Sequence, residues 1–326
     1  MRPLKLVPDD TNIAFLKYRN IAMALSMLLI IGSLVLCVVK GFNLGIDFIG
    51  GQQTRVTFTQ PVDIEALGSR VEALGVGEAT IQRSGTSNEY SIRTPLPEGG
   101  EDAANKAASN IRAAVLKDYP GAQVGAASSV SGKVSEELFR NGALSLALAA
   151  IGIALYIWFR FEWQFGVGAL FALFHDVALT LGFFALTQLE FDLNIVAAIL
   201  TIIGYSLNDT IVVYDRIREN MRKYRKMEME ELLNLSINET LSRTVVTSLS
   251  IGIVLTILLV LGPDVIFGFT AAMLLGIVIG TFSSVYVSAA ILLWLRLKPD
   301  SFLPKEVAPG AKGAEGAERV SFKDMP

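Results

Sequence analysis

Three groups of ionisable residues sit inside stretches apolar enough to enter a bilayer, where a charge is costly and marks a functional candidate. Asp209 lies in the run Gly204-Tyr-Ser-Leu-Asn-Asp-Thr-Ile-Val-Val-Tyr214. At 100° per residue, Asn194, Thr201, Tyr205, Asn208 and Asp209 share one stripe about 100° wide, expected to face other helices or a wet cavity rather than lipid. Burial penalises the charged form of a carboxyl group, which suits one placed there to exchange protons. A hydrated carboxylate at a helix end fits the same residues. Arg243 opens the fifth apolar run with Thr247 and Ser250 on its face. Its depth matches that of Asp209 if the fourth and fifth runs are antiparallel, so a pair that forms and breaks is one reading. An arginine snorkelling to lipid headgroups is the other. His175-Asp176 lies in the middle of the third run, between Phe174 and Val177. Histidine is the side chain that ordinarily titrates near neutrality. A proton role and a structural hydrogen bond both remain open for this pair.

Gly276-Ile-Val-Ile-Gly280 is a GxxxG pattern, which lets two helices approach closely. No nucleotide-binding loop, nucleophile triad or zinc-ligand spacing occurs in the sequence. The chain is therefore not expected to be an enzyme, an ATP motor or a holder of a metal or organic cofactor, and any energy it uses must come from elsewhere. The net charge of −3 comes with no basic patch of the kind nucleic acid requires, so no nucleic-acid partner is expected. The single cysteine, Cys37, rules out an intrachain disulfide and reads as a buried apolar filler.

The elements that must position these residues are six apolar runs, at 20–39, 141–159, 164–186, 193–214, 245–262 and 266–295. About 20 residues suffice to span a bilayer. With 52% hydrophobic and 18% charged residues, the chain would expose too much apolar surface as a soluble protein. The first run is longer than a signal core and lacks a small-residue cleavage site, so it reads as a retained helix. Basic residues cluster at Lys5, Lys17 and Arg19, at Arg160, between Arg216 and Lys226, and at Lys298, Lys305 and Lys312. Alternating spans place all of these on one side, which the positive-inside rule makes cytoplasmic. The expected organisation is a cytoplasmic N-terminus (1–19), a first helix (20–39), an extracytoplasmic domain (40–140), helices two to six (141–295) and a disordered cytoplasmic tail (296–326).

Within the polar region, 54–59 alternates like a strand, and 63–74 repeats apolar residues at helical spacing behind an Asp63 N-cap. Two strands at 79–83 and 90–94 flank a turn-rich 84–88, then a helix over 101–116 precedes a last strand at 122–130. The order β-α-β-β-α-β predicts a ferredoxin-like split βαβ unit. The fold class is thus an all-α transmembrane bundle of six helices with an inserted α+β ferredoxin-like domain.

Gly41-Phe-Asn-Leu-Gly-Ile-Asp-Phe-Ile-Gly-Gly51 resembles the signature shared by the SecD/SecF family of export proteins. The stretch from Gly204 through Asp215-Arg-Ile-Arg-Glu-Asn220 resembles the fourth span of its SecF members, and His175-Asp176 and Gly280-Thr-Phe-Ser-Ser-Val-Tyr286 also match. In the first motif Gln52 and Gln53 follow the glycine pair where the family commonly has a threonine. The resemblance covers about residues 20–295. It implies the architecture of half an RND-type exporter in the bacterial inner membrane, driven by the proton gradient, with Na+ as the other ion a carboxylate could carry. It implies SecD as the other half, the SecYEG translocon and a translocating preprotein as partners, and YajC as a further one. By the same resemblance Asp209 falls on the proton-carrying aspartate and Arg243 on its partner. Ser206, Thr210, Thr247 and Ser248 lie beside them as possible lining of the path, with His175 and Asp176. Two other classes compete: a small-molecule RND-type proton antiporter, and a structural subunit that stabilises the translocon without proton coupling. Few aromatics (Phe58, Tyr90, Tyr119) are available to line a substrate pocket in the outer domain.

Overall fold

The computed structural model describes residues 7–8, 11–83 and 88–297. In chain order the elements are α1 (Arg19–Val39), α2 (Ile46–Ile49), β1 (Gly51–Thr57), α3 (Ile64–Glu72), β2 (Thr80–Arg83), β3 (Glu89–Thr94), α4 (Gly100–Asp118) and β4 (Gln123–Val130). They continue with α5 (Gly132–Arg160), α6 (Trp163–Thr187), α7 (Leu193–Lys223), α8 (Met229–Leu261), α9 (Phe267–Phe282) and α10 (Ser288–Trp294). A π-helical turn, Ser283–Val287, joins α9 to α10, so Phe267–Trp294 is one continuous span. Six helices among the described residues are long and apolar enough to cross a membrane. The expected tail from residue 298 onward and most of the 84–88 turn lie outside the described residues.

The helices overrun the apolar runs at one end of the bundle. α7 and α8 have 31 and 33 residues, so each is about 46–50 Å long against a hydrocarbon core of about 30 Å. The basic link after residue 214 is therefore mostly helical, and only 224–228 turns. Leu232, Leu233, Ser236, Ile237, Thr240 and Thr244 recur at helical spacing and bury one face of α8. Polar contacts fasten that extension to α7: Arg216 Nε donates to Glu239 Oε2 at 2.7 Å, and Asn220 Nδ2 donates to Ser236 Oγ at 3.0 Å. The second span likewise begins early, at Gly132, where Ser131 caps it by accepting from Val134 N. Cys37 is half-buried on α1 rather than enclosed.

The bundle core is built on α6, α7 and α9. The glycines of the GxxxG pattern face α7, where a methyl group at Gly276 would strike the Ile202 side chain and one at Gly280 would come within 3.1 Å of Ser206 Cβ. On the other side of α6, a methyl at Gly182 would strike Ser33 of α1.

The inserted domain has sheet order β2-β3-β1-β4 with every neighbouring pair antiparallel. That is the split βαβ arrangement. Asp63 caps α3 by accepting from Glu65 N at 3.0 Å. Alternation sends Val56, Tyr90 and Ile92 toward α3 and α4, where they join Leu67, Val71 and Ile111 in a core. Phe58, Tyr90 and Tyr119 stack edge-on inside that core, with centroids 5.0–5.5 Å apart. The opposite face of the same strands is polar: Gln53 pairs with Arg93 across the ladder, Arg55 with Ser91, and Thr57 with Glu89. This polar face looks onto the end of the bundle.

Candidate functional site

Two buried carboxyl groups occupy the bundle core, each held by hydroxyl groups from neighbouring helices. Asp209 on α7 is 7% exposed. Its Oδ1 accepts from Thr244 Oγ1 of α8 at 2.7 Å, and its Oδ2 accepts from Ser284 Oγ at 2.7 Å. Asp176 on α6 is fully enclosed. Its Oδ2 accepts from Ser206 Oγ of α7 at 2.5 Å and from Ser283 Oγ at 2.9 Å, while Oδ1 lies 2.8 Å from His175 Nδ1. The His175 ring stacks on Phe282, and its Nε2 is buried without a hydrogen-bond partner. Consecutive residues of the π-turn thus serve two carboxyl groups on two different helices. Single π-turns inside α-helices recur at functional sites because the surplus residue redirects side chains.

The residues singled out in the sequence separate in three dimensions. Ser206 contacts Asp176 rather than Asp209. Ser248 Oγ bridges Tyr205 OH at 2.7 Å and Thr281 Oγ1 at 2.9 Å, tying α7, α8 and α9 together. Thr210 is buried beside Asp209. Thr247 turns outward and donates to the Arg243 carbonyl of its own helix at 2.9 Å. The expected pair of Asp209 with Arg243 is not formed: Arg243 is exposed and has no ion pair among the described residues. The reason is helical phase. Thr244, one residue on, points at Asp209, and 100° of rotation carries Arg243 away from it. The stripe drawn around Asp209 also divides, since Thr201 and Asn208 are exposed while Asp209 is covered by α8 and the π-turn. No group of three or more metal-ligating side chains occurs among the described residues.

A second polar cluster joins the inserted domain to the bundle. The segment after α1 runs alongside the α6–α7 loop, with Gly45 N donating to Phe191 O at 2.8 Å and Phe191 N to Asn43 O at 2.7 Å. The chain then turns into β1 through Gly50 and Gly51, both with positive φ, and a Cβ at Gly51 would press on the Thr94 carbonyl at 2.8 Å. Glycine is needed there on both counts. Glu190 of the loop projects under the polar face of the sheet. Gln53 Nε2 donates to both its oxygens at 3.0 Å, Arg93 Nη2 lies 3.1 Å away as an ion pair oblique to a hydrogen bond, and Arg55 Nη2 lies at 3.6 Å. Arg93 also donates to Asn43 Oδ1 and the Leu44 carbonyl, at 2.9 and 2.7 Å. Burial holds the Arg93 guanidinium below its ordinary range, and Glu190 opposes that shift. Asp192, the N-cap of α7, is pushed above the usual carboxylate range, first by burial. A recess of about 660 Å³, lined in part by Gln53, Arg55, Glu190 and Asp192, opens beside the cluster.

Two family descriptions match this chain: "Protein export membrane protein SecD/SecF, C-terminal" over residues 111–298 and "SecD/SecF GG Motif" over residues 35–62. The chain belongs to the SecD/SecF family of protein-export membrane proteins. It is 43% identical to the protein translocase subunit SecF of Cereibacter sphaeroides over 298 residues, covering 90% of this chain and 92% of that one. The SecF of Vibrio alginolyticus is 39% identical over 324 residues, 99% of each chain. The crystal structure of SecDF from Thermus, described as a translocon-associated membrane protein, superposes with a TM-score of 0.80 at 36% identity over 90% of this chain. This chain spans 40% of that one. The SecD/SecF assignment and the six spans make this a multi-pass membrane protein of the Sec export pathway, with the fold of half an RND-type transporter and an inserted ferredoxin-like domain.

Seen as a SecD/SecF chain, the GG motif acquires a physical role. It is the strap between the first span, the sheet and the α6–α7 loop, and Gln53, the second residue after the glycines, reaches Glu190. Gln52 points to the other face, where its Nε2 donates to Ala104 O of α4 at 2.8 Å. Sequence reasoning missed Thr244, Ser283, Ser284 and Glu190. Ser283 and Ser284 carry a usable signal, lying in the Gly280–Tyr286 stretch that resembles the family, but helical spacing does not show which carboxyl group each one faces.

Proposed function

We propose that this chain, paired with SecD in the bacterial inner membrane, couples proton entry at Asp209 to late steps of preprotein translocation through SecYEG. The observation that carries the reading is a carboxyl group buried between three spans and held only by hydroxyl groups, which can stay in contact with it in either protonation state. Both termini lie in the cytoplasm and the inserted domain outside, a topology supported by the basic residues at the α5–α6 and α7–α8 turns. Rotation of α8 by about 100° would exchange Thr244 for Arg243 opposite Asp209. Protonation of Asp209 therefore favours the present arrangement, and its loss of the proton favours the arginine. One proton crossing ~150 mV supplies about 3.5 kcal/mol, enough to bias such a two-state element several hundredfold. Transmission to the outside runs through the α6–α7 loop, whose Glu190 grips the sheet. The outer aromatics sit in the domain core rather than lining a pocket, which weighs against a small-molecule antiporter.

The test is gradient-dependent release of a preprotein from vesicles carrying the wild type or Asp209→Asn, matched for assembly with SecD and repeated with Na+ replaced by K+. Loss of stimulation in the variant with the complex intact supports proton coupling. Undiminished stimulation overturns it in favour of a scaffold, and a requirement for Na+ changes the ion.

A further inference from the structure

At the end of the bundle away from the sheet, the turn between α5 and α6 and the last turns of α7 enclose a recess of about 540 Å³ lined by Arg160, Asp215, Arg218, Glu219, Arg222 and Lys223. Four cations and two anions give the lining a net charge of +2. The anions are already engaged: Asp215 by Arg160 at 2.9 Å and by Arg218 at 3.9 Å, and Glu219 by Arg216 at 2.6 Å. Arg222 is exposed and forms no ion pair with the described residues, and Lys223 is exposed with its ammonium group 4.8 Å from the Tyr224 ring centroid. The recess therefore presents surplus positive charge to an incoming anion.

A second, independent feature specifies the kind of anion. Trp158, Phe159 and Trp163, on either side of Arg160, are 68%, 85% and 53% exposed. Exposed tryptophans at the end of an apolar span mark the headgroup level of a bilayer. The outward face of α5 behind them continues with Ile151 and Leu155, both exposed. A soluble anion would use the cations and leave these exposed aromatics, which flank Arg160 in the chain rather than line the recess, idle. A phospholipid would use both, its phosphate among the basic side chains and its acyl chains along α5.

We infer that this recess is a binding site for an anionic phospholipid, with Arg222 and Lys223 meeting the phosphate and Trp158 and Trp163 bracketing the glycerol and upper chains. Basic pockets of this kind between spans take acidic headgroups, and each cation near the surface contributes appreciably.

The experiment is native mass spectrometry of the full chain released from nanodiscs containing equal phosphatidylglycerol and phosphatidylcholine. The wild type is expected to retain phosphatidylglycerol selectively. Arg222→Gln with Lys223→Gln should reduce that retention on the order of ten-fold or more. The equally exposed pair Arg225→Gln with Lys226→Gln, outside the lining, should leave it unchanged. Trp163→Ser should weaken lipid retention without altering folding by circular dichroism. Equal retention of both lipids, or equal losses from both charge pairs, overturns the site. Displacement of the lipid by millimolar inorganic phosphate overturns the lipid assignment in favour of a soluble anion.

Discussion

Replacing Glu190 with glutamine tests whether the sheet is fastened to the bundle by charge. The side chains of Glu190 and Arg93 are 11% and 7% exposed, so the pair is nearly dry. Breaking a buried pair by removing one charge typically costs about 3–5 kcal/mol, mainly because the other charge is stranded. Here Arg93 keeps its bonds to Asn43 and Leu44, and the adjoining recess admits water, so the expected cost is about 2–3 kcal/mol. A glutamine at 190 can still accept from Gln53, which keeps the shape of the contact. The cost should appear where the clamp holds: opening of the sheet against the loop becomes roughly 30- to 150-fold more frequent. Hydrogen–deuterium exchange of the purified full chain reads this directly. The amides of Gly45 and Phe191, which donate across the clamp, should lose protection by that factor, while those of α9 keep theirs. Unchanged protection at Gly45 and Phe191 would refute the reasoning and leave the backbone bonds between the strap and the loop as the real fastening.

Two further outcomes follow from the bundle. Thr244→Val keeps shape but removes a buried donor to Asp209, at about 1–3 kcal/mol, and should impair gradient-stimulated preprotein release, whereas Thr247→Val, altering an outward-facing hydroxyl, should not. Gly276→Ala drives a methyl group into Ile202 and should destabilise the α7–α9 packing by about 1–3 kcal/mol, read as a lower midpoint in thermal unfolding; Gly280→Ala, with its nearest contact at 3.1 Å, should cost less.

Much of this architecture is legible in the sequence because it rests on local rules. The order of strands and helices in the inserted domain follows from alternation, spacing and the Asp63 cap, and the spans from apolar runs. What the sequence hides depends on phase and on partners distant in the chain. Arg243 and Thr244 are adjacent, and only the rotation of α8 decides which meets Asp209. The apolar signal ends near residue 214 because α7 there leaves the depth of the bilayer, not because the helix stops. Glu190 reads as a solvated loop charge until Arg55 and Arg93, roughly a hundred residues earlier, are brought over it by the sheet. The serines of the sixth span are out of reach for a helical wheel, which keeps a constant 100° step through a turn that does not obey it.

That irregular turn has a consequence of its own. A π-turn is an α-helix carrying one residue too many, and like a dislocation in a crystal the surplus can travel along the axis without the helix unwinding. Moving it past Ser283 and Ser284 would shift both hydroxyls by one position on the helix surface together. Asp176 and Asp209 would then each lose the donor that the sixth span supplies, in a single step, while Ser206 and Thr244 stay on them. Such a shift would make the sixth span a crankshaft, with both carboxyl groups sensed by one moving part.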